Sequence, residues 1–274
     1  MSIIKTKLNV GATKPFKVLH MTDTHLTYAD MRDGERKVNL ALSREKIFPE
    51  NVKTLEYGVK TAKELNVPIF HTGDLIDFVS LANLEETKKF TDEVDVFISA
   101  GNHEFSQYVG EAVEDADYRN QSLDKVQKVF KNDIRASSRV INGVNFLAID
   151  NGYYLFEKEQ LAFLKSEVKK GLPIVLLFHN PLFEKNLFDL RMKEGNNAAL
   201  VGVPKELMAN YPEKRFIQQL ADDVTLETIE FIKNESKIKA IITGHLHFNY
   251  ESELYGRIPQ IITSCIDIRL IEFI

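Results

Sequence analysis

Five short stretches of this sequence carry side chains able to bind metal ions or move protons, and each follows an apolar, strand-like run. Gly101-Asn102-His103-Glu104 follows the run 94–100 and sets an amide oxygen beside a titratable ring nitrogen, after a glycine that lets the chain turn off a strand end. Asp23-Thr24-His25 follows 16–21, Gly73-Asp74-Leu75-Ile76-Asp77 follows 67–71, His179 follows 174–178, and Gly244-His245-Leu246-His247 follows 238–242. The chain has 7 histidines, and His25, His103, His179, His245 and His247 all fall in these stretches, which scatter does not explain. One cysteine, Cys265, leaves no intramolecular disulfide and no thiolate-rich metal site, so any ligands are N and O donors. Carboxylate, imidazole and amide oxygen together suit Mn²⁺, Fe or Zn²⁺. Side chains alternate with period two along an extended segment, which predicts that Asp23 and His25 face one way, as do His245 and His247.

Taken in order, Asp-x-His, Gly-Asp-x-x-Asp, Gly-Asn-His-Glu, His and Gly-His-x-His resemble the calcineurin-like metallophosphoesterase superfamily over residues 16–265. The resemblance implies an α/β fold, an αββα four-layer sandwich of two mixed sheets flanked by helices. It also implies a dinuclear centre: Asp23, His25 and His247 on one divalent ion, Asn102, His179 and His245 on the other, with Asp74 bridging. Asp77 then orients His103, which is left without a metal and is free to protonate a leaving oxygen. Paired ions ~3.5–4 Å apart make a hydroxide at neutral pH and hold it in line with phosphorus. Two dications less Asp23, Asp74 and that hydroxide leave about one positive charge, which a phosphodiester monoanion neutralises.

Bulk properties bound the alternatives. With 274 residues, 44% apolar and 27% charged, the chain is long enough for one α/β domain with a substantial core and ordinary for a globular protein. A net charge of −5 without like-charge runs gives no electrostatic footprint for nucleic acid or an anionic membrane. No stretch approaches the ~20 apolar residues of a spanning helix, and the N-terminus lacks a sustained apolar run, so a cytoplasmic location is expected.

The elements that must position these groups alternate. Strands are expected at 16–21, 67–71 and 94–100, with helices at 51–65, where Val52, Leu55, Val59 and Ala62 form a stripe, at 81–90 and at 117–130. The stretch 28–50 reads as a long loop. Strands 138–141 and 144–150 about Asn142-Gly143 imply a hairpin and a second sheet. Helices are expected at 157–170 and 224–233, buried strands at 173–179 and 238–242, and hairpins about Gly256 and Pro259. One domain spanning 1–274 is the expectation, with residues 1–14 as an edge strand or arm. Residues 181–221 read as an irregular lid or wall over the site, most mobile near Asn196-Asn197. Phe183, Leu187, Phe188, Leu190, Met192, Leu207, Met208, Tyr211 and Phe216 could cover an organic leaving group there, and the guanidinium forks of Arg191 and Arg215 suit phosphate; the alternative is that the apolar residues only anchor the segment to the core and both arginines face solvent.

Other residues read more plainly. His20 and His71 are expected in core or supporting roles, Glu104 as supporting or at a helix start, and Asp150-Asn151 either as supporting the site or as a turn. The segment 150–182, with Glu159-Gln160-Leu161-Ala162-Phe163-Leu164, is similar to the cyclic-nucleotide phosphodiesterase branch of the superfamily. The expected function is therefore hydrolysis of a small or nucleotide-like phosphodiester, using two divalent ions per chain (Mn, Fe or Zn). A phosphomonoesterase acting on a metabolite or protein is the alternative within enzymes, although Phe78-Val79 replaces the Arg-Gly typical of protein phosphatases. A catalytically silent metal-binding scaffold is the alternative outside them.

Overall fold

The computed structural model describes residues 2–110 and 115–274, so the first residue of the N-terminal arm lies outside it. The chain opens with β1 (Ile3–Leu8) and β2 (Phe16–Met21), the latter buried from Val18 onward. A 3-10 turn, Met31–Asp33, then leads into α1 (Glu35–Glu45) where the sequence predicts a loop. The helix escapes detection because it buries no side chain: Val38, Leu40 and Leu42 recur at spacing two and make no helical stripe. Next comes α2 (Asn51–Leu65), with the expected bounds, stopped by Asn66 in the left-handed region at φ 52°. Its inner face is Thr54, Gly58, Thr61 and Ala62, rotated from the predicted stripe so that Val52 is exposed and Leu55 and Val59 lie at the margin.

The chain continues through β3 (Ile69–His71), α3 (Leu81–Glu93) and β4 (Val96–Ile98). The helix expected at 117–130 is two short ones, α4 (Ala116–Asn120) and α5 (Leu123–Gln127), because Ser122 leaves the helical region (φ −126°) and its hydroxyl donates to the Phe105 carbonyl. The predicted hairpin is β5 (Ala136–Ile141) and β6 (Val144–Ile149), turning on Asn142 at φ 45° and Gly143 at φ 80°. Then follow α6 (Lys158–Val168) and the wholly buried β7 (Ile174–Leu177). The 181–221 stretch is largely helical and not irregular, holding α7 (Lys185–Glu194), a 3-10 turn Lys205–Met208 and α8 (Glu213–Gln219). After α9 (Asp223–Asn234), capped by Asp222, come β8 (Ile238–Thr243), β9 (Tyr250–Leu254), β10 (Ile258–Ile262) and β11 (Ile268–Phe273). The β9–β10 hairpin turns at Tyr255-Gly256 as expected, but Pro259 sits inside β10, opposite Glu253.

Two mixed sheets result, ordered β1-β11-β2-β3-β4 and β5-β6-β7-β8-β10-β9. Strand β11 does not extend the hairpin. It crosses to the first sheet, parallel to the edge strand β1 and antiparallel to β2. The sheets face each other across an apolar layer of Val18, Phe70, Phe97, Phe146, Leu177, Ile242 and Phe273. Phe146 meets Phe70 at 4.8 Å and Phe273 at 5.1 Å in edge-on geometry, and each such fully buried ring is worth roughly 1.5–3 kcal/mol. Outer apolar layers cover the first sheet with α2 and α3 and the second with α6 and α9. This is the α/β sandwich expected from sequence. Strands β2, β3 and β4 run parallel, as do β6, β7 and β8, so their carboxyl ends open onto one edge, where ligands gather in such sheets.

Candidate metal centre

Every predicted ligand lies at that edge. Asp23 follows β2, Asp74 follows β3, Asn102 follows β4, His179 follows β7, and His245 and His247 follow β8. The local reason differs from the one the sequence suggests. Asp23, His25, Asp74, His245 and His247 have φ of 53°, 39°, 54°, 68° and 60°, so these loops are coiled through the left-handed region and are not extended. The cost, of order 1–3 kcal/mol at such positions, persists only where the surroundings over-determine the turn. Two glycines show how tightly they do. A Cβ at Gly101 would lie 2.3 Å from Asp74 Oδ1, and one at Gly244 would lie 1.8 Å from Thr22 Oγ1 and 2.4 Å from Asp23 Oδ2. Close approach, and not a left-handed backbone, requires glycine at both.

The donors form two neighbouring sets. Asp23, His25 and His247 converge, as do Asp74, His179 and His245, with ligand atoms in each set within 4.8 Å of one another. In the first, His25 Nε2 is 3.2 Å from His247 Nε2, and Asp23 Oδ1 is 3.3 Å from His247 Nε2 and 3.8 Å from His25 Nε2. In the second, His179 Nε2 lies 3.1 Å from Asp74 Oδ2, from His245 Nδ1 and from Asn102 Oδ1. Asp74 Oδ2 also stands 3.7 Å from His25 Nε2, which puts this carboxylate between the sets. His103 is grouped with His25 and Asp74 at similar range.

Hydrogen bonds on the far ring nitrogens decide which atoms face inward. The Thr72 carbonyl can only accept, so His179 Nδ1 donates to it at 2.7 Å and Nε2 turns to the cluster. His25 Nδ1 sits 3.0 Å from Asp77 Oδ1, and His245 Nε2 lies 2.9 Å from the Tyr154 hydroxyl, leaving the opposite nitrogen of each facing in. His103 Nδ1 donates to the Asp77 main-chain carbonyl at 2.7 Å and lies 3.2 Å from Asp77 Oδ1.

Cations fit this donor set. Asp23 Oδ1 is buried and accepts no hydrogen bond, an orphan that calls for an ion or proton. Acceptors face acceptors around His179 Nε2, and in the metal-free protein a proton relieves them: burial disfavours charge on His179, but the carboxylates of Asp74 and Asp23 outweigh it and push the pKa up to about 9. Likewise burial opposes charge on His103, while the Asp74 carboxylate and the hydrogen bonds to Asp77 push it up to about 10. Burial also opposes ionisation of Asp77, but hydrogen bonds from Arg44, His103 and His25 hold its carboxyl well below the usual range. His20 and His71 do not join the cluster. His20 is held between the hydroxyls of Thr263 and Thr72, and burial pushes His71 down to about 3, a neutral core residue.

Several supporting residues carry little or no sequence signal. Glu104 starts no helix; its carboxylate accepts the backbone N–H groups of Asp74, Leu75 and Gly101. Asn151 Oδ1 accepts the backbone N–H groups of His179 and Asn180 and so supports the site, whereas the Asp150 carboxylate accepts the Gly152 N–H within its own turn. Arg44, in the region expected to be loop, forks Asp77, and Phe48 stacks on the His25 ring at 4.2 Å and 7°. A cavity of about 530 Å³ opens over the cluster, lined by Phe48, His103, Tyr154, Arg191, Lys214 and Arg215 among others. Arg191 and Arg215 are thus where the sequence suggests. None of the nine apolar residues expected over a leaving group lines that cavity. Leu187, Phe188, Met208 and Tyr211 instead bury themselves against Leu246 and Ile262 as a separate small core, which also takes in Ala198 and Leu200 beside Asn197. Among the described residues no helix is long and apolar enough to cross a membrane.

Curated protein sequences give no match to this chain. Among solved structures, a dimetal phosphatase from Danio rerio is similar with a TM-score of 0.47 and 13% identity, covering 92% of this chain and 88% of that one. The phosphopantetheinyl hydrolase of Mycobacterium tuberculosis is similar at 0.44 and 10%, covering 96% and 91%. A calcineurin-like phosphoesterase from Bacillus subtilis follows at 0.43 and 13%, covering 92% and 82%. The family model for calcineurin-like phosphoesterases matches residues 16–249, and the chain belongs to that family.

Proposed function

We propose that this protein is a two-metal phosphodiesterase acting on a small or nucleotide-like ester. The observation that carries the reading is the pair of three-residue donor sets meeting at Asp74 beneath a 530 Å³ cavity, a volume suited to a small organic ligand and far larger than one phosphate. Asp23, His25 and His247 would hold one ion and Asn102, His179 and His245 the other, with Asp74 placed to serve both. When bound, such ions supply Lewis acidity at phosphoryl oxygens and a water of lowered pKa.

The chain's own residues do the rest. His103 carries the proton for the leaving oxygen on Nε2, because Nδ1 is occupied by the Asp77 carbonyl at 2.7 Å. Asp77 keeps that ring and the His25 ring in one orientation. Arg191 and Arg215, with Lys214 beside them, line the substrate's side of the cavity as a wall formed by residues 181–221. The charge count over the two ions favours a monoanionic diester. That cationic wall favours more negative charge, which gives a phosphomonoesterase specific support as the second reading.

The test loads metal-free protein with Mn²⁺, Fe²⁺ or Zn²⁺ and compares generic diesters with monoesters carrying the same leaving group. Diester kcat/KM above monoester kcat/KM is expected. The reverse order selects the second reading, and no hydrolysis with any metal in a protein that binds two ions per chain returns the silent scaffold.

A further inference from the structure

We propose that Arg44 is a positioning residue for the reaction, its guanidinium fork fixing the Asp77 carboxylate that aims both His103 and His25. The inference rests on the reading of His103 as the proton donor. Arg44 Nε donates to Asp77 Oδ2 at 2.6 Å and Nη2 donates to Oδ1 at 2.9 Å, a bidentate pair with one hydrogen bond on each carboxylate oxygen. Asp77 is completely buried, and the Arg44 side chain is 17% exposed. The same Oδ1 that takes Arg44 Nη2 stands 3.0 Å from His25 Nδ1 and 3.2 Å from His103 Nδ1. Three donors therefore crowd one oxygen, and only Arg44 holds the other. Without the fork, Oδ2 keeps no donor among the described residues and the carboxylate is free to rotate about its Cβ–Cγ bond, which frees the His25 ring and moves the charge beside His103 Nδ1, a ring then held by the Asp77 main-chain carbonyl alone. A lysine replaces this only in part, because a point charge makes one bond where the planar fork makes two.

The two rings serve different tasks, and one residue outside the five motifs reaches both. His25 belongs to a metal-holding set, whereas His103 faces the substrate. The turn after α1 adds a second contact: Phe48 lies parallel to the His25 ring at 4.2 Å, and the Arg44 guanidinium carbon sits 5.0 Å from the Phe48 ring. Phe48 thus contacts both the His25 ring and the Arg44 guanidinium. The competing account is that Arg44 only ties down α1, a helix that buries no side chain. That helix has other ties, since Lys37 Nζ donates to the Val79 carbonyl at 2.5 Å and Arg36 lies over the Tyr108 ring at 3.8 Å. It does not need a bidentate bond to a buried carboxylate beside two site histidines in order to stay docked.

The experiment compares wild type, Arg44→Met, Arg44→Lys and Arg44→Ala, each saturated with the same metal, on two esters that differ only in leaving group, an alkoxide and 4-nitrophenolate. Melting temperature and metal content are recorded alongside. Removing an outer partner of this kind costs about 10–100-fold. The expected result is a loss of that size in kcat on the alkoxide ester, a several-fold smaller loss on the nitrophenyl ester, partial recovery in Arg44→Lys, and recovery of Arg44→Ala by added guanidinium ion. In metal-free protein, ring ¹H–¹⁵N spectra at one fixed pH are expected to show His25 and His103 as single sharp forms in wild type and broadened in Arg44→Met. Equal losses on both esters, or spectra unchanged by Arg44→Met, overturn the proposal and leave Arg44 as an anchor. Absence of hydrolysis by metal-saturated wild type overturns the proposed function instead, and the spectra still decide whether Arg44 orders the two rings.

Discussion

Glu104 and Asp74 hold each other's loops. The Glu104 carboxylate accepts the Asp74 backbone N–H at 2.8 Å, and the Asp74 carboxylate accepts the His103 backbone N–H at 2.8 Å. Two turns at the ends of β3 and β4 are thereby locked into one unit, with the Asp74 carboxylate aimed into the donor cluster. Burial and the Asp74 charge push the Glu104 pKa up to about 7, against the hydrogen bonds from the Gly101 and Asp74 backbone. Glu104→Gln keeps the shape but turns an amide NH₂ toward backbone donors, so a buried N–H loses its acceptor at a cost of about 1–3 kcal/mol. Calorimetric melting of the metal-free variant checks this: a fall of several degrees is expected, and a melting temperature equal to wild type contradicts the lock.

Asp74 lies 3.1 Å from His179 Nε2 and 3.7 Å from His25 Nε2, one residue from each donor set. If it bridges, Asp74→Asn removes both ions together, because the amide brings one neutral oxygen in place of a charged pair. Metal analysis after dialysis is expected to give well under one ion per chain and activity near background. Two tightly held ions in this variant refute the bridge.

His103→Ala leaves Asp23, Asp74 and the other four motif histidines untouched. The expected outcome is near-normal metal content and a fall of roughly 10²–10⁴ in kcat for an ester with a poor leaving group, the usual worth of a positioned acid. An ester of 4-nitrophenol needs little protonation and is expected to lose far less. Equal losses on the two esters, or loss of an ion, reassign His103 to the metal set in which His25 and Asp74 also stand.

The sequence shows the residues of the donor cluster better than the scaffold that aims them. Asp23, His25, Asp74, Asn102, His179, His245 and His247 are legible because their chemistry and spacing recur after apolar runs, and apolar runs report buried strands whatever the tertiary context. Helix α1 is not legible, since it buries nothing, and Arg44 on it looks like any surface arginine until Asp77 comes within reach. Tyr154, at φ 66°, follows Asp150-Asn151-Gly152 in a turn with no hydrophobic period, so its hydroxyl beside His245 has no local signature. The 181–221 stretch misleads for another reason. Its helices pack on a small core of their own, so their apolar residues are spaced for that core and not for the two main layers. Positive φ at five ligands is likewise invisible, because the strain is imposed by neighbours distant in sequence such as Gly244 against Thr22.

The cavity wall sets the last prediction, and its geometry decides how to test it. Shortening the chain between residues 195 and 202 is a poor test of a lid, because Ala198, Leu200 and Val201 there have no exposed surface and Leu182 pairs with Val201 as a short parallel bridge. Removing them takes out core, at roughly 2–5 kcal/mol for each large side chain. Side-chain changes at the wall avoid this. Arg215 hydrogen-bonds only Gln218 among the described residues, and Arg191 makes a 3.3 Å pair with the exposed Glu194 while its Nε is buried without a partner. Arg215 thus has no carboxylate partner among the described residues and Arg191 has a peripheral one, so both can still take a phosphate oxygen, and pairs at the surface contribute about 0–1 kcal/mol to folding. Arg191→Ala and Arg215→Ala are therefore expected to melt within a few degrees of wild type and to keep both ions. Their kcat/KM on a nucleotide-like ester is expected to fall by roughly 10-fold or more, mainly through KM, as suits the loss of a charge-assisted hydrogen bond of about 1.5–3 kcal/mol. On a small uncharged-leaving-group ester that does not reach the wall, little change is expected. Unchanged selectivity between the two esters in both variants removes the wall from substrate recognition and leaves 181–221 as packing alone.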